Sequence, residues 1–113
     1  WIGDCVTLGA GSIVCAGSIL TTNIGFGEGA QINLACTVGH DVTAGNFVTL
    51  SPAVSLSGAV TIGDLSTIYT RAAINPRIAI GERVVVGAGA VVAKDVPDGQ
   101  TVVGVPAKPL KQA

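Results

Sequence analysis

Methionine is absent from these 113 residues, tryptophan and tyrosine occur once each, and aromatic residues make up 4% of the chain. Histidine also occurs once, so the three imidazoles of an all-histidine zinc site cannot come from one chain. Lysine and arginine are missing from residues 1–70, whose charged side chains are Asp4, Glu28, Asp41 and Asp64. The formal net charge is −1 and no basic stretch is interleaved with aromatics, which argues against a nucleic-acid partner. No apolar run approaches the roughly 20 residues that a membrane span requires, so no membrane partner is expected. Phosphate-cradling glycine motifs of the Walker or dinucleotide type are missing too. Cys5, Cys15 and Cys36 are odd in number and lack metal-ligand spacing. They are expected to be small buried thiols of a protein in a reducing compartment, the cytoplasm.

What the chain does have is a period. Stepping by six from Ile2 visits Leu8, Val14, Leu20, Phe26, Ile32, Val38, Ala44, Leu50, Leu56, Ile62, Ile68, Ile74, Ile80, Val86 and Val92, all apolar and without an insertion. Glycine often follows, as at Gly3, Gly9, Gly27, Gly39, Gly45, Gly63, Gly81 and Gly87. Four residues after many of the large apolar positions stands a second apolar or small residue, such as Val42, Val48, Val54 and Val60. A helix of 3.6 residues per turn cannot keep this pattern on one face, and a heptad does not fit it. Each hexad therefore reads as a short strand plus a bend, with one large and one small side chain turned inward. A single hexad cannot bury its own apolar face, so copies must stack into a solenoid. Glycine and asparagine are expected at bends with positive φ. Because the chain is already inside this pattern at Trp1, it reads as a domain of a longer protein.

The repeat Ile/Leu/Val-Gly-x-x-x-x resembles the hexapeptide-repeat acyltransferases. The resemblance implies an all-β fold, a left-handed parallel β-helix whose triangular coils each take three hexads. Residues 1–96 would form about five such coils, with positions eighteen apart stacked at the strand spacing of about 4.8 Å. From Pro97 the period breaks, and residues 97–113 are expected to leave the helix as a loop and tail. The stretch Val103-Gly104-Val105-Pro106-Ala107-Lys108 is similar to the closing motif of these transferases.

His40 stands two residues past the inward Val38, where a corner side chain points outward, and Gly58 lies eighteen residues on. The run "GHDV", then "LSPAVSLSG", then "VTIGD" resembles sugar acetyltransferases of the sialic acid O-acetyltransferase and bacillosamine N-acetyltransferase type. That resemblance implies direct acetyl transfer from acetyl-CoA to an amine or hydroxyl of a sugar or nucleotide-sugar. His40 would be the general base, since imidazole can accept a proton near neutral pH. Asp41 would orient the ring and offset its charge, which requires a corner between the two residues, because neighbours on a regular strand face opposite ways. The Gly58 amide would receive the oxyanion. Asn33 would lie near the acceptor. Acetyl-CoA would run along the coils after Gly58, touching Thr70, Ala88 and the loop from Val103 to Lys108.

Six basic residues against three acidic ones in residues 71–113 suit the phosphates of that ligand. Arg71, Arg77 and Arg83 are expected at three different corners, and Arg77 stacks on Asp95 as a possible ion pair. The family also implies a homotrimer with active sites between subunits, and an N-terminal nucleotide-sugar-binding domain that is expected to be missing from this chain. Two features depart from the family pattern. Thr49 stands where many relatives carry a second histidine, and Ile68–Ala73 reads "IYTRAA" where relatives often have "IGAGA". A non-catalytic β-helix and a serine O-acetyltransferase-like enzyme are the alternatives.

Overall fold

The computed structural model describes residues 1–110. Residues 111–113 of the expected tail lie outside the described residues. The chain winds as a left-handed parallel β-helix, a triangular prism of overall extents 43 × 22 × 21 Å. One side is β1 (Val6–Leu8), β4 (Ile24–Phe26), β7 (Thr43–Ala44), β10 (Thr61–Ile62) and β13 (Ala79–Ile80). A second side is β2 (Ile13–Val14), β5 (Gln31–Ile32), β8 (Thr49–Leu50), β11 (Thr67–Ile68), β14 (Val85–Val86), β16 (Thr101–Val103) and β17 (Lys108–Pro109). The third is β3 (Ile19–Leu20), β6 (Thr37–Val38), β9 (Ser55–Leu56), β12 (Ala73–Ile74) and β15 (Val91–Val92). Registers such as Thr43↔Thr61 and Val38↔Leu56 place residues eighteen apart directly over one another.

One hexad shows how the sequence makes the turn. Val38 ends a strand and points inward, fully buried; Gly39 and His40 enter the corner; Asp41 turns it at φ 60°; Val42 points inward again; Thr43 starts the next strand. Val42, Val48, Val54 and Val60 are 0% exposed, and each such burial stabilises the fold by about 1.5–3 kcal/mol. Where serine takes the small inward position, its hydroxyl is satisfied. Ser66 donates to the Gly81 carbonyl at 2.6 Å and accepts from the Val84 amide at 3.0 Å.

The backbone corrects one expectation. Positive φ falls on every sixth residue, and eleven of those residues are not glycine: Cys5, Asn23, Ala35, Asp41, Phe47, Ala53, Ala59, Leu65, Arg71, Arg77 and Arg83. A left-handed conformation costs an ordinary residue about 1–2 kcal/mol. The stacked coils offset this, because from Asn23 onward each such amide donates to the carbonyl nineteen residues earlier, as Asp41 does to Thr22 at 3.1 Å and Ala59 to His40 at 2.8 Å. The recurrent glycine after the inward residue has a different cause, the close approach of the next coil. A Cβ at Gly63 would lie 2.6 Å from the Glu82 nitrogen, and one at Gly9 would lie 2.5 Å from the Gly27 carbonyl carbon.

The C-terminal end differs as well. Instead of leaving at Pro97, the chain completes another side in which the register tightens from eighteen to sixteen, with Ile80↔Val96 and Val85↔Thr101. Carboxylates bridge the shortened coil. Asp95 accepts from the Ala79 amide and Asp98 from the Glu82 amide, both at 2.8 Å. β17 then folds back antiparallel on β16.

Candidate active site

Three columns of corner residues run along the prism, and one column carries His40. Its members are Thr22, His40, Gly58 and Pro76, each eighteen after the last, flanked by the positive-φ row Asn23, Asp41, Ala59 and Arg77. The corner demanded by a His40–Asp41 pair is present. Asp41 at φ 60° turns its carboxylate back, and Oδ2 lies 2.8 Å from His40 Nδ1. A neutral ring that donates from Nδ1 to this carboxylate keeps its lone pair on Nε2. That second nitrogen lies across Gly58, where an added Cβ would sit 2.5 Å from Nε2 and 2.7 Å from Cε1. Only glycine leaves the ring this position.

The hydrogen bonds from His40, first, and from Asn23, second, hold the Asp41 carboxyl below the ordinary carboxylate range. Both side chains are open to solvent, at 65% for His40 and 51% for Asp41. Their pairing therefore serves orientation more than stability. Asn23 Nδ2 donates to Asp41 Oδ1 from the preceding coil. Asn23 does not stand out in the sequence alone. Stepping back eighteen residues from Asp41 finds it, just as stepping forward eighteen from His40 finds Gly58.

The amides of this column also differ from those of the neighbouring corner. There, the Glu28 amide donates to Asn46 Oδ1 at 2.9 Å, the Asn46 amide to Asp64 Oδ1 at 2.7 Å, and the Glu82 amide to Asp98 Oδ1 at 2.8 Å. In the His40 column the residues one and two coils on are Gly58 and Pro76, which have no acceptor side chain. Among the described residues the Gly58 amide has no hydrogen-bond partner. Gly58 borders an open groove of about 530 Å³ lined also by His40, Asp41, Ala59, Pro76 and Arg77.

The remaining expected site residues stand elsewhere in the chain. Thr70 and Ala88 belong to the column Leu34, Pro52, Thr70, Ala88, one full side of the prism from His40. Gly104, whose carbonyl accepts from the Val91 amide, continues from them, while Val103 and Lys108 pair across β16 and β17. Asn33 closes β5 next to that same column and donates from Nδ2 to the Leu50 carbonyl at 2.9 Å. Thr70 and Ala88 therefore stand on a different corner column from Gly58. Thr49 points outward on β8, on the side leading to the Asn33 corner.

Arg71, Arg77 and Arg83 do occupy three corners, all at positive φ. The expected Arg77–Asp95 ion pair is not formed, because Asp95 is engaged by the Ala79 amide. Among the described residues no two cysteines are joined. Cys36 alone is buried, its thiol pushed up by desolvation, with Cys15 half-buried and Cys5 exposed.

No protein-family model and no curated protein sequence matches the chain. Solved structures do. WeeI from Acinetobacter baumannii AYE superimposes with a TM-score of 0.94 at 40% identity, over 96% of this chain and 54% of that one. A mutant of perosamine N-acetyltransferase from Caulobacter crescentus, in complex with CoA and GDP-perosamine, gives 0.96 at 35% identity over 98% of this chain and 53% of that one. The acetyltransferase domain of PglB from Neisseria gonorrhoeae FA1090 gives 0.82 at 37% identity, over 93% and 54%. This chain thus spans about half the length of each.

Proposed function

We infer the function from kinship, because this chain belongs to the hexapeptide-repeat acyltransferases. The His40 groove is the site of acetyl transfer from acetyl-CoA to an amine or hydroxyl of a sugar or nucleotide-sugar. One observation carries this reading: His40 is fixed by Asp41 at Nδ1, and its free Nε2 lies against Gly58, whose amide has no other partner. The Caulobacter relative, bound to CoA and a GDP-sugar, supports the choice of substrates.

In the reaction, the acceptor nitrogen or oxygen attacks the thioester carbonyl as its proton passes to His40 Nε2. General-base assistance of this kind is typically worth about 10²- to 10⁴-fold. Asp41 keeps the ring in the accepting tautomer and offsets its positive charge. The carbonyl oxygen becomes an oxyanion within reach of the Gly58 N–H, a donor already in place before the reaction. Collapse breaks the carbon–sulfur bond, and the proton held on His40 neutralises the leaving thiolate.

Asn33, Thr70, Ala88, Val103 and Lys108 contribute from a neighbouring subunit. Their corner is one prism side away from His40, so a cyclic homotrimer that sets the two corners against each other completes the site. The free thiols and the use of acetyl-CoA suit the cytoplasm.

Titration calorimetry of the purified chain with acetyl-CoA, followed by a CoA-release assay over a panel of amino-sugar nucleotides, tests the proposal. Saturable binding at one site per chain, with turnover abolished by His40→Ala, is the expected result. Absence of binding at millimolar acetyl-CoA would overturn it.

A further inference from the structure

We propose that Asn23 is a positioning residue, which sets the tautomer of His40 through Asp41. The inference rests on the reading of His40 as the proton acceptor and adds a member that acts on it from one coil away. Asn23 and Asp41 are successive members of one positive-φ row, at φ 55° and 60°, so their side chains leave the corner stacked and in register. The Asn23 amide donates from Nδ2 to Asp41 Oδ1, while Asp41 Oδ2 faces His40 Nδ1 at 2.8 Å. Each carboxylate oxygen thus has its own donor, and rotation of the carboxylate about its terminal torsion breaks both contacts together. Without the first donor, the hydrogen bond to His40 is the only side-chain contact left to this solvent-exposed carboxylate among the described residues, and the carboxylate then follows the ring instead of fixing it.

Backbone conformation alone does not account for asparagine at this position. Asparagine tolerates positive φ well, but the same fold places cysteine, alanine, phenylalanine, leucine and arginine at equivalent positions. What distinguishes Asn23 from those residues is an amide donor opposite a carboxylate.

The test uses the fact that the chain has a single histidine, so a ¹⁵N spectrum of the labelled protein contains one imidazole. At a pH where the ring is neutral, His40 in the wild-type chain is expected to carry its proton on Nδ1. Asn23→Gly keeps the backbone conformation at no steric cost and removes the amide. It is expected to shift the population towards the Nε2–H form preferred by a free histidine side chain. Asn23→Asp, which replaces the donor with a repelling carboxylate, should shift it at least as far. Turnover should fall by about three- to tenfold in both, the scale of one partly exposed charge-assisted hydrogen bond, with KM for acetyl-CoA unchanged. An unchanged tautomer ratio in Asn23→Gly, or wild-type turnover in Asn23→Asp, would overturn the proposal. The spectrum needs no substrate. A chain that fails to transfer acetyl groups yet shows the tautomer shift would refute the catalytic reading and leave the positioning role standing.

Discussion

The imidazole of His40 lies across Gly58, so close that a β-carbon there would stand 2.5 Å from Nε2. The space above residue 58 is therefore occupied by the ring, which can swing away but cannot share it. Gly58 has no positive φ, so alanine would not strain the backbone. Gly58→Ala should leave the melting temperature nearly unchanged while displacing the ring and reducing turnover by at least about tenfold, a loss of about 1.4 kcal/mol of transition-state stabilisation. Steady-state kinetics beside a thermal melt check this; retained turnover would mean that the ring's position over Gly58 is not needed.

His40→Ala removes an exposed side chain with one ion-pair partner. Turnover should fall by at least about a hundredfold, and the melting temperature should hardly move. A large loss of stability with activity retained would make His40 a structural residue.

Asp41 provides a pH-dependent check. Its carboxyl is held below the ordinary range, chiefly by His40 and then by Asn23. A carboxyl lowered on folding adds stability above its unfolded value, about 3.9, and loses that contribution as pH falls through the folded value. ¹³C-detected titration of the Asp41 carboxyl should place it below this reference in the wild type. In His40→Ala the value should rise, since the largest cause is gone. An identical titration in both proteins would show that the pair does not persist in solution.

The proposed division of the site between two corners predicts subunit complementation. Sedimentation at micromolar concentration should give a trimer. Chains carrying His40→Ala and chains blocked by Ala88→Trp should each be inactive alone. Refolded together in equal amounts, they should regain activity at about a quarter of the sites, those at which both neighbours supply an intact half. A stable monomer, or mixed samples as inactive as their components, would rule out a shared site.

The two roles of glycine separate in stability measurements. Gly63→Ala drives a Cβ into the backbone of the next coil and should destabilise the fold by about 1–3 kcal/mol or more. Gly11 has φ 75° with nothing within 4 Å of an added Cβ, so Gly11→Ala should cost only about 1 kcal/mol. Urea denaturation midpoints distinguish the two; equal costs would contradict the close-approach argument.

The six-residue period was legible because the prism interior admits only apolar or small side chains, and Leu20, Ile32 and Leu50 had to fit there. The corners were not. Phe47, Leu65 and Arg83 sit at positive φ because hydrogen bonds between coils hold them there, and no local residue preference announces that. The shortened final coil was hidden for a related reason. Pro97 and Gly99 look like terminators, yet Asp95 and Asp98 supply from their side chains the contacts that let a sixteen-residue turn stack on an eighteen-residue one. The pairing of His40 with Asp41 was readable from their adjacency once a corner was assumed. The separation of Thr70 and Ala88 from Gly58 was already in the numbering, since twelve and thirty residues are not multiples of eighteen.

The fixed register also limits how the gene can change in length. Removing one residue between His40 and Gly58 would turn every later inward side chain outward and slide the glycine from beneath the ring. Around the groove a change of length keeps the stacking only as a whole eighteen-residue coil or as a loop that leaves and rejoins at one corner, so length variation in homologous genes should collect at the corners away from His40 and at the ends, where this chain already has a sixteen-residue turn.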